Sequence, residues 1–186
     1  MPAKKSKPTP AAWRKIRLFA MDVDGILTDG ALQVASDGTE TKTFSIIDGS
    51  GLYQLRMAGI ITAWISGRTS GATTVRANEL KIPHLIQGNN DKLAELQKLA
   101  AQLKLTPDQI VYMGDDDIDA PAMRWAGISA TVPTALPPAL AAADIITNRP
   151  AGRGAVREIC DHILTACGGK SQTPKSQIPK KSQNPK

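Results

Sequence analysis

Short apolar runs alternate with longer amphipathic stretches between Ile16 and Ala166, and this alternation limits the fold more than any other feature of the 186-residue chain. Runs at Ile16 to Met21, Ile60 to Ile65, His84 to Ile86, Ile110 to Met113, Ile128 to Val132 and Asp144 to Ile146 have strand length. Ser70 to Leu80, Asp91 to Leu103, Asp116 to Ala126 and Gly154 to Ala166 are long enough for helices and carry apolar residues near helical spacing. Strands that read as continuous apolar runs are covered on both faces, and repeated strand-helix units return each strand parallel to the last. The pattern therefore predicts an α/β fold with a doubly wound, mostly parallel sheet. One insertion interrupts it: Ala31 to Ala35 and Thr39 to Phe44 alternate around Ser36-Asp37-Gly38, which predicts a β-hairpin. No other insertion is large enough for a cap domain.

The formal charge of +6 belongs to the ends of the chain. Residues 1–17 carry six Lys or Arg and residues 170–186 carry five, without an Asp or Glu in either stretch. Between Leu18 and Gly169 there remain 12 basic against 17 acidic residues, a formal charge of −5. This division argues against a nucleic-acid interface on the globular part. Lys170 to Pro174, Lys175 to Pro179 and Lys181 to Pro185 each read Lys-Ser-Gln-x-Pro, a composition that cannot build a core. The expected organisation is a basic, disordered tail over 1–15, one folded domain over 16–168 and a disordered repeat tail over 169–186. Met1 to Pro10 lacks the apolar run of a signal peptide or membrane span, so a cytoplasmic protein is expected.

Cysteine and histidine offer little chemistry. Cys160 and Cys167, on one helix, would lie ~10.5 Å apart along its axis, too far for a disulfide, and are expected as small buried groups. His84 and His162 are the only histidines, which disfavours zinc. The chemistry must rest on carboxylates, and these lie where a parallel sheet presents its ligand site, just beyond the carboxyl ends of strands. The first strand ends in Asp22-Val23-Asp24-Gly25 and the second in Ser66-Gly67-Arg68. Asp91-Lys92 follows the third, and Gly114-Asp115-Asp116-Asp117-Ile118-Asp119 the fourth. An isolated Asp-x-Asp-Gly can merely cap a turn. Four such coincidences at four strand ends are better explained by one site. Asp115, Asp117 and Asp119 imitate a calcium loop, but Ala120 stands where that loop requires Gly and Ala126 where it requires Glu.

Carboxylates from two strand ends suit a hard cation such as Mg2+, held by oxygen. With Lys92 the cation would let the Asp22 carboxylate approach a phosphoryl group despite their like charge. Asp22 then serves as nucleophile and Asp24 as general acid and base, with its pKa expected to rise among neighbouring carboxylates. Ser66 would donate a hydrogen bond to a phosphoryl oxygen.

Asp22-x-Asp24, Ser66, Lys92 and Gly114-Asp115-Asp116 resemble the four motifs of haloacid dehalogenase-superfamily phosphatases. With the hairpin, Ser66-Gly67-Arg68, Arg76, Gln87-Gly88, Asp119-x-Pro121 and Gly152-x-Gly154-Ala155-Val156-Arg157-Glu158, residues 15–168 resemble the 3-deoxy-D-manno-octulosonate 8-phosphate phosphatase family. The resemblance implies a capless, haloacid dehalogenase-like homotetramer whose hairpins assemble between subunits, acting in lipopolysaccharide precursor synthesis. It puts Asp22, the Asp24 main-chain carbonyl and Asp115 on Mg2+, with Asp116 and Asp119 supporting the site. Lys92 and Ser66 would hold phosphate, and Arg68, Arg76, Asp48 and Gly49 would meet the sugar acid, the last two from a loop after the hairpin. Arg76 could equally pair with Glu79 on its own helix. Many members carry Arg in the Ser45-Ile46-Ile47-Asp48-Gly49 segment and a basic residue where Tyr53 stands. A nine-carbon keto-acid 9-phosphate is therefore a second substrate class, and a non-catalytic scaffold of the same fold a third reading.

Overall fold

The computed structural model describes residues 7–168; the Lys-Ser-Gln-x-Pro repeats lie outside the described residues. Six strands form one sheet in the order β5-β4-β1-β6-β7-β8, with every adjacent pair parallel. The strands are β1 (Leu18–Met21), β4 (Ile61–Ser66), β5 (His84–Gln87), β6 (Ile110–Met113), β7 (Ile128–Thr131) and β8 (Ile145–Ile146). All eight residues of β1 and β6 are buried, as continuous apolar runs require when helices cover both faces. From β1 the chain builds outward through β4 to β5, then crosses back to lay down β6, β7 and β8. The winding reverses at β1, so the crevice for a ligand opens where β1 ends.

The hairpin forms a separate sheet of β2 (Gln33–Val34) and β3 (Glu40–Thr41). Gly38, at φ +85°, supplies the left-handed residue that its turn needs.

Helices α1 (Pro10–Lys15) and α2 (Ile46–Met57) pack on α7 (Ala155–Ala166), while α4 (Lys92–Leu103) packs on α5 (Ala120–Trp125) and α5 on α6 (Pro137–Ala142). Helix α3 (Gly71–Leu80) adjoins α2 and β3. Among the described residues nothing adds a cap domain.

Several expectations need correction. The stretch assigned to a disordered tail through residue 15 becomes helical at Pro10, because Thr9 caps it and Trp13 buries itself on α7, its ring 5.3 Å from that of His162. Ser45 to Gly49 is the cap and first turn of α2 rather than a loop. The last expected helix but one starts at Ala120, not Asp116, since residues 116–119 turn to present side chains to the crevice. Cys160 is buried, but Cys167 is exposed.

Candidate active site

Asp22 stands one residue past β1, anchored by its N–H to the Met113 carbonyl at 2.9 Å. Its own Oδ1 accepts from the Val23 N–H at 2.7 Å, which fixes the carboxylate toward the crevice. Lys92, in the first turn of α4 and almost wholly buried, donates to Asp22 Oδ2 at 2.8 Å and to Asp119 Oδ1 at 2.7 Å. Burial alone would lower the Lys92 pKa, but the carboxylates of Asp22 and Asp119 outweigh it and raise the value. Its ammonium therefore stays charged.

Asp119 is the hub. Oδ1 accepts from Lys92 and, at 2.8 Å, from the Tyr112 hydroxyl, while Oδ2 accepts from the Asp115 and Asp116 N–H groups at 3.2 and 3.1 Å. Four donors on two oxygens use most of the lone-pair capacity of this carboxylate. It orients Lys92 and the loop after β6 and is poorly placed to give an oxygen to a cation. Asp115 differs: its Oδ1 is buried with no hydrogen-bond partner among the described residues. An unsatisfied buried carboxylate oxygen is costly unless something positive meets it.

Oxygens of Asp22, Asp115 and Asp119 gather within 4.8 Å of one another. Burial first, and the nearby Asp119 charge second, push both Asp22 and Asp115 up to about 7. A divalent cation would reverse that penalty, and an all-oxygen donor set suits magnesium. Gly25, at φ +85°, makes the approach sterically possible, because a Cβ there would overlap the Asp115 carboxylate. The carboxylate crowding of the site bears on Asp22 and Asp115.

Asp24 faces a cation instead. Lys42, just past β3, donates to its two oxygens at 2.6 and 2.9 Å. Ser66 is buried at the end of β4, its Oγ accepting from the Arg68 N–H at 3.2 Å, which leaves the hydroxyl proton available to an incoming acceptor. Arg68 lies on the rim, half exposed, and pairs with Glu40 of the hairpin at 2.9 Å. Asp116 Oδ1 accepts from the Asp117 N–H at 2.6 Å and shapes the same loop.

The sugar-facing expectations fare differently. Asp48 is buried, and its two oxygens accept from the Arg157 and Gly154 N–H groups at 2.8 and 3.0 Å. Its carboxylate caps α7, whose own N-cap, Gly154, has no side chain to do so. Within this chain both carboxylate oxygens are thus engaged by α7. Gly49 makes room for Arg76, since a Cβ there would press on the guanidinium. Arg76 pairs with Glu79 at 2.7 Å and reaches the Ser45 carbonyl at 3.5 Å, so within this chain it joins α3 to the cap of α2.

A profile for haloacid dehalogenase-like hydrolases matches residues 60–159. The 3-deoxy-D-manno-octulosonate 8-phosphate phosphatase of Yersinia pestis is 44% identical over 151 residues, covering 81% of each chain. The chain belongs to this phosphatase family. Among solved members, the Moraxella catarrhalis enzyme, in complex with magnesium, phosphate and KDO, superposes with a TM-score of 0.83 at 46% identity, over 84% of this chain and 90% of that one. The cobalt-bound Haemophilus influenzae phosphatase gives 0.81 at 36% identity, over 84% and 92%. Membership makes the protein a phosphoric monoester hydrolase with a haloacid dehalogenase-like fold.

Sequence reasoning missed three residues of this family member's site. Tyr112 looks like any core residue, because its hydroxyl contact with Asp119 depends on tertiary packing. Lys42 and Glu40 carried a readable signal: two positions apart, one on β3 and one just past it, they fall on one face, and that face meets the loop after β1.

Proposed function

We propose that the chain is a magnesium-dependent phosphatase for 3-deoxy-D-manno-octulosonate 8-phosphate, in lipopolysaccharide precursor synthesis, working through an aspartyl-phosphate. The observation that carries the reading is the interlocked set of Asp22, Lys92, Asp119 and the unpartnered Asp115 oxygen, a cradle for a cation beside a fixed carboxylate. The names of the Yersinia and Moraxella relatives supply the substrate.

Asp22, Asp115 and the Asp24 carbonyl would hold magnesium, which when bound supplies positive charge beside the phosphoryl oxygens. Lys92 and Ser66 bind those oxygens from the other side, one by charge and one by its hydroxyl proton. The Asp22 carboxylate oxygen attacks phosphorus as the bond to the sugar oxygen breaks, and Asp24 gives that oxygen a proton. Asp24 then takes a proton from water, whose oxygen attacks phosphorus and breaks the bond to Asp22. Both aspartates are restored. Covalent catalysis divides one difficult hydrolysis into two displacements, and Asp24 serves both.

The assembly we infer is a homotetramer in the cytoplasm. Leu32, Val34, Ile46, Ile47, Tyr53 and Met57 are exposed on the hairpin and α2, and a lone two-stranded ribbon is marginal without a covering surface. No helix among the described residues is long and apolar enough to cross a membrane.

Phosphate release from the eight-carbon sugar acid 8-phosphate, a nine-carbon keto-acid 9-phosphate and an aryl phosphate, with magnesium or EDTA, tests the reading. Selective hydrolysis of the first, abolished by EDTA and by Asp22→Asn, is expected. Preference for the nine-carbon compound would move the substrate while keeping the chemistry. Absence of magnesium-dependent release from all three would leave a scaffold.

A further inference from the structure

Lys42 is the point at which the hairpin touches the chemistry. Its side chain is 1% exposed. Besides Asp24, the ammonium lies 3.3 Å from Thr73 Oγ1 of α3 and 3.6 Å from Glu40 Oε1. Glu40 is itself held, accepting from the Ser70 hydroxyl at 2.6 Å and from Arg68 at 2.9 Å. Ser70 caps α3 and its N–H donates to Gln87 at the end of β5. Lys42 is thus clamped between the hairpin and α3, and the main sheet braces the clamp.

A free aspartate side chain turns about two bonds, and a general acid that points away from the leaving oxygen contributes nothing. Misplacing a reacting group by about 1 Å costs on the order of 100-fold in rate. A buried ammonium, in turn, is stable only while paired, so the contact resists loosening. We propose that Lys42 is a positioning residue for Asp24, aiming its carboxylate at the leaving-group side of the site. The proposal rests on the reading of Asp24 as general acid and base. While Asp24 carries the proton on one oxygen, Lys42 holds the other. As that proton passes to the departing alkoxide, the ammonium regains both oxygens.

The leaving group tells positioning apart from general damage. An alkoxide needs the proton, whereas p-nitrophenolate leaves without it. Rapid-quench measurement of the first turnover therefore compares a sugar or other alkyl phosphate with p-nitrophenyl phosphate, in Lys42→Met and in Lys42→Gln, which keeps a donor in the same space. Thermal melts establish that the variants are folded, and either folded variant decides. We expect first-turnover release to fall about 10- to 100-fold on the alkyl ester and by no more than about threefold on the aryl ester, with KM little changed. Equal losses on the two esters, a rise in KM alone, or no loss would each overturn the proposal. Asp24→Asn, run in parallel, separates the two ideas. If it lacks the leaving-group preference, the reading of Asp24 fails; if it has the preference and the Lys42 variants do not, only Lys42 is excluded.

Discussion

The two ends of the candidate site are built differently. At the phosphate end Asp22, Lys92, Asp119 and Tyr112 are buried and joined by hydrogen bonds, Asp22 and Tyr112 beside or on central strands and Lys92 and Asp119 at the starts of α4 and α5. At the sugar end Arg68 is half exposed, while Ile47 and Tyr53 stand open on α2. A network closed by its own partners keeps its geometry whatever lies above it. An open rim takes its shape from what covers it, whether substrate or another subunit. The chemical groups are therefore held within one chain, and under the proposed assembly the choice of sugar falls to the rim.

That contrast is broken most directly at Asp119. Replacing it by Asn keeps the shape but turns an NH2 group toward donors, either the Lys92 ammonium and Tyr112 hydroxyl or the two loop N–H groups. Disrupting a buried, paired charge in this way costs about 3 kcal/mol or more. Chemical denaturation should register that loss, and turnover should fall with it as Lys92 and the Asp115 loop lose their guide. A variant of normal stability and activity would show that the phosphate end is less tightly coupled than its hydrogen bonds indicate.

Magnesium linkage gives the next largest effect. Asp22 and Asp115 are pushed up from the ordinary 3.8 to about 7 by burial and then by Asp119. Without metal, the folded protein keeps protons between pH ~4 and ~7 that the unfolded chain has released. The stability these groups contribute is thus present below pH ~4 and declines as pH rises through 7. Magnesium needs the carboxylates ionised, so its affinity climbs over the same range. We expect roughly tenfold tighter binding per pH unit below 7 for each proton released, levelling above it. Titration calorimetry in buffers of different ionisation enthalpy would measure both affinity and proton release; a pH-independent affinity would remove the assigned ligands from consideration.

The phosphate end is also the part most legible in sequence, and for a physical reason. Parallel strands buried on both faces read as apolar runs, and a ligand crevice at their carboxyl ends makes the next few residues conspicuous, so Asp22, Asp24, Ser66, Lys92 and Asp115 stand out from the order of residues alone. What stays hidden depends on tertiary contact or on weak local signal. Helix α2 contains Gly49 and Gly51, each costing about 1 kcal/mol of helix propensity relative to Ala, and is held by packing on α7. Its start is nevertheless marked, by Ser45 as N-cap with Asp48 three residues on. Helix α6 is short, but Pro137 and Pro138 at its first positions announce it.

Asp48 shows the same limit. A carboxylate beside the site resembles a ligand in sequence, yet here it closes the end of α7 across 106 residues of chain. Asp48→Asn should cost about 1 to 2 kcal/mol, the ordinary value of a lost cap, with KM for the sugar phosphate unchanged. A large rise in KM at unchanged stability would return Asp48 to the substrate.

The smallest effect is expected at Arg68, and it sharpens the comparison most finely. Its guanidinium is 52% exposed and its bond to Glu40 Oε2 is a surface ion pair, contributing at most about 0.5 kcal/mol after screening. Arg68→Ala should therefore leave the denaturation midpoint almost where it was. Glu40 keeps the Ser70 hydroxyl, which bonds its other oxygen, so the clamp on Lys42 survives and kcat should hold. If the rim selects the substrate, KM for the sugar-acid phosphate should rise about three- to tenfold, because a charge-assisted hydrogen bond to an anion is lost. KM for an aryl phosphate, which has no second anionic group, should not move. Parallel kinetics on the two substrates at one ionic strength make the comparison. A uniform rise in KM would place Arg68 with the phosphate-binding groups and erase the division between the two ends.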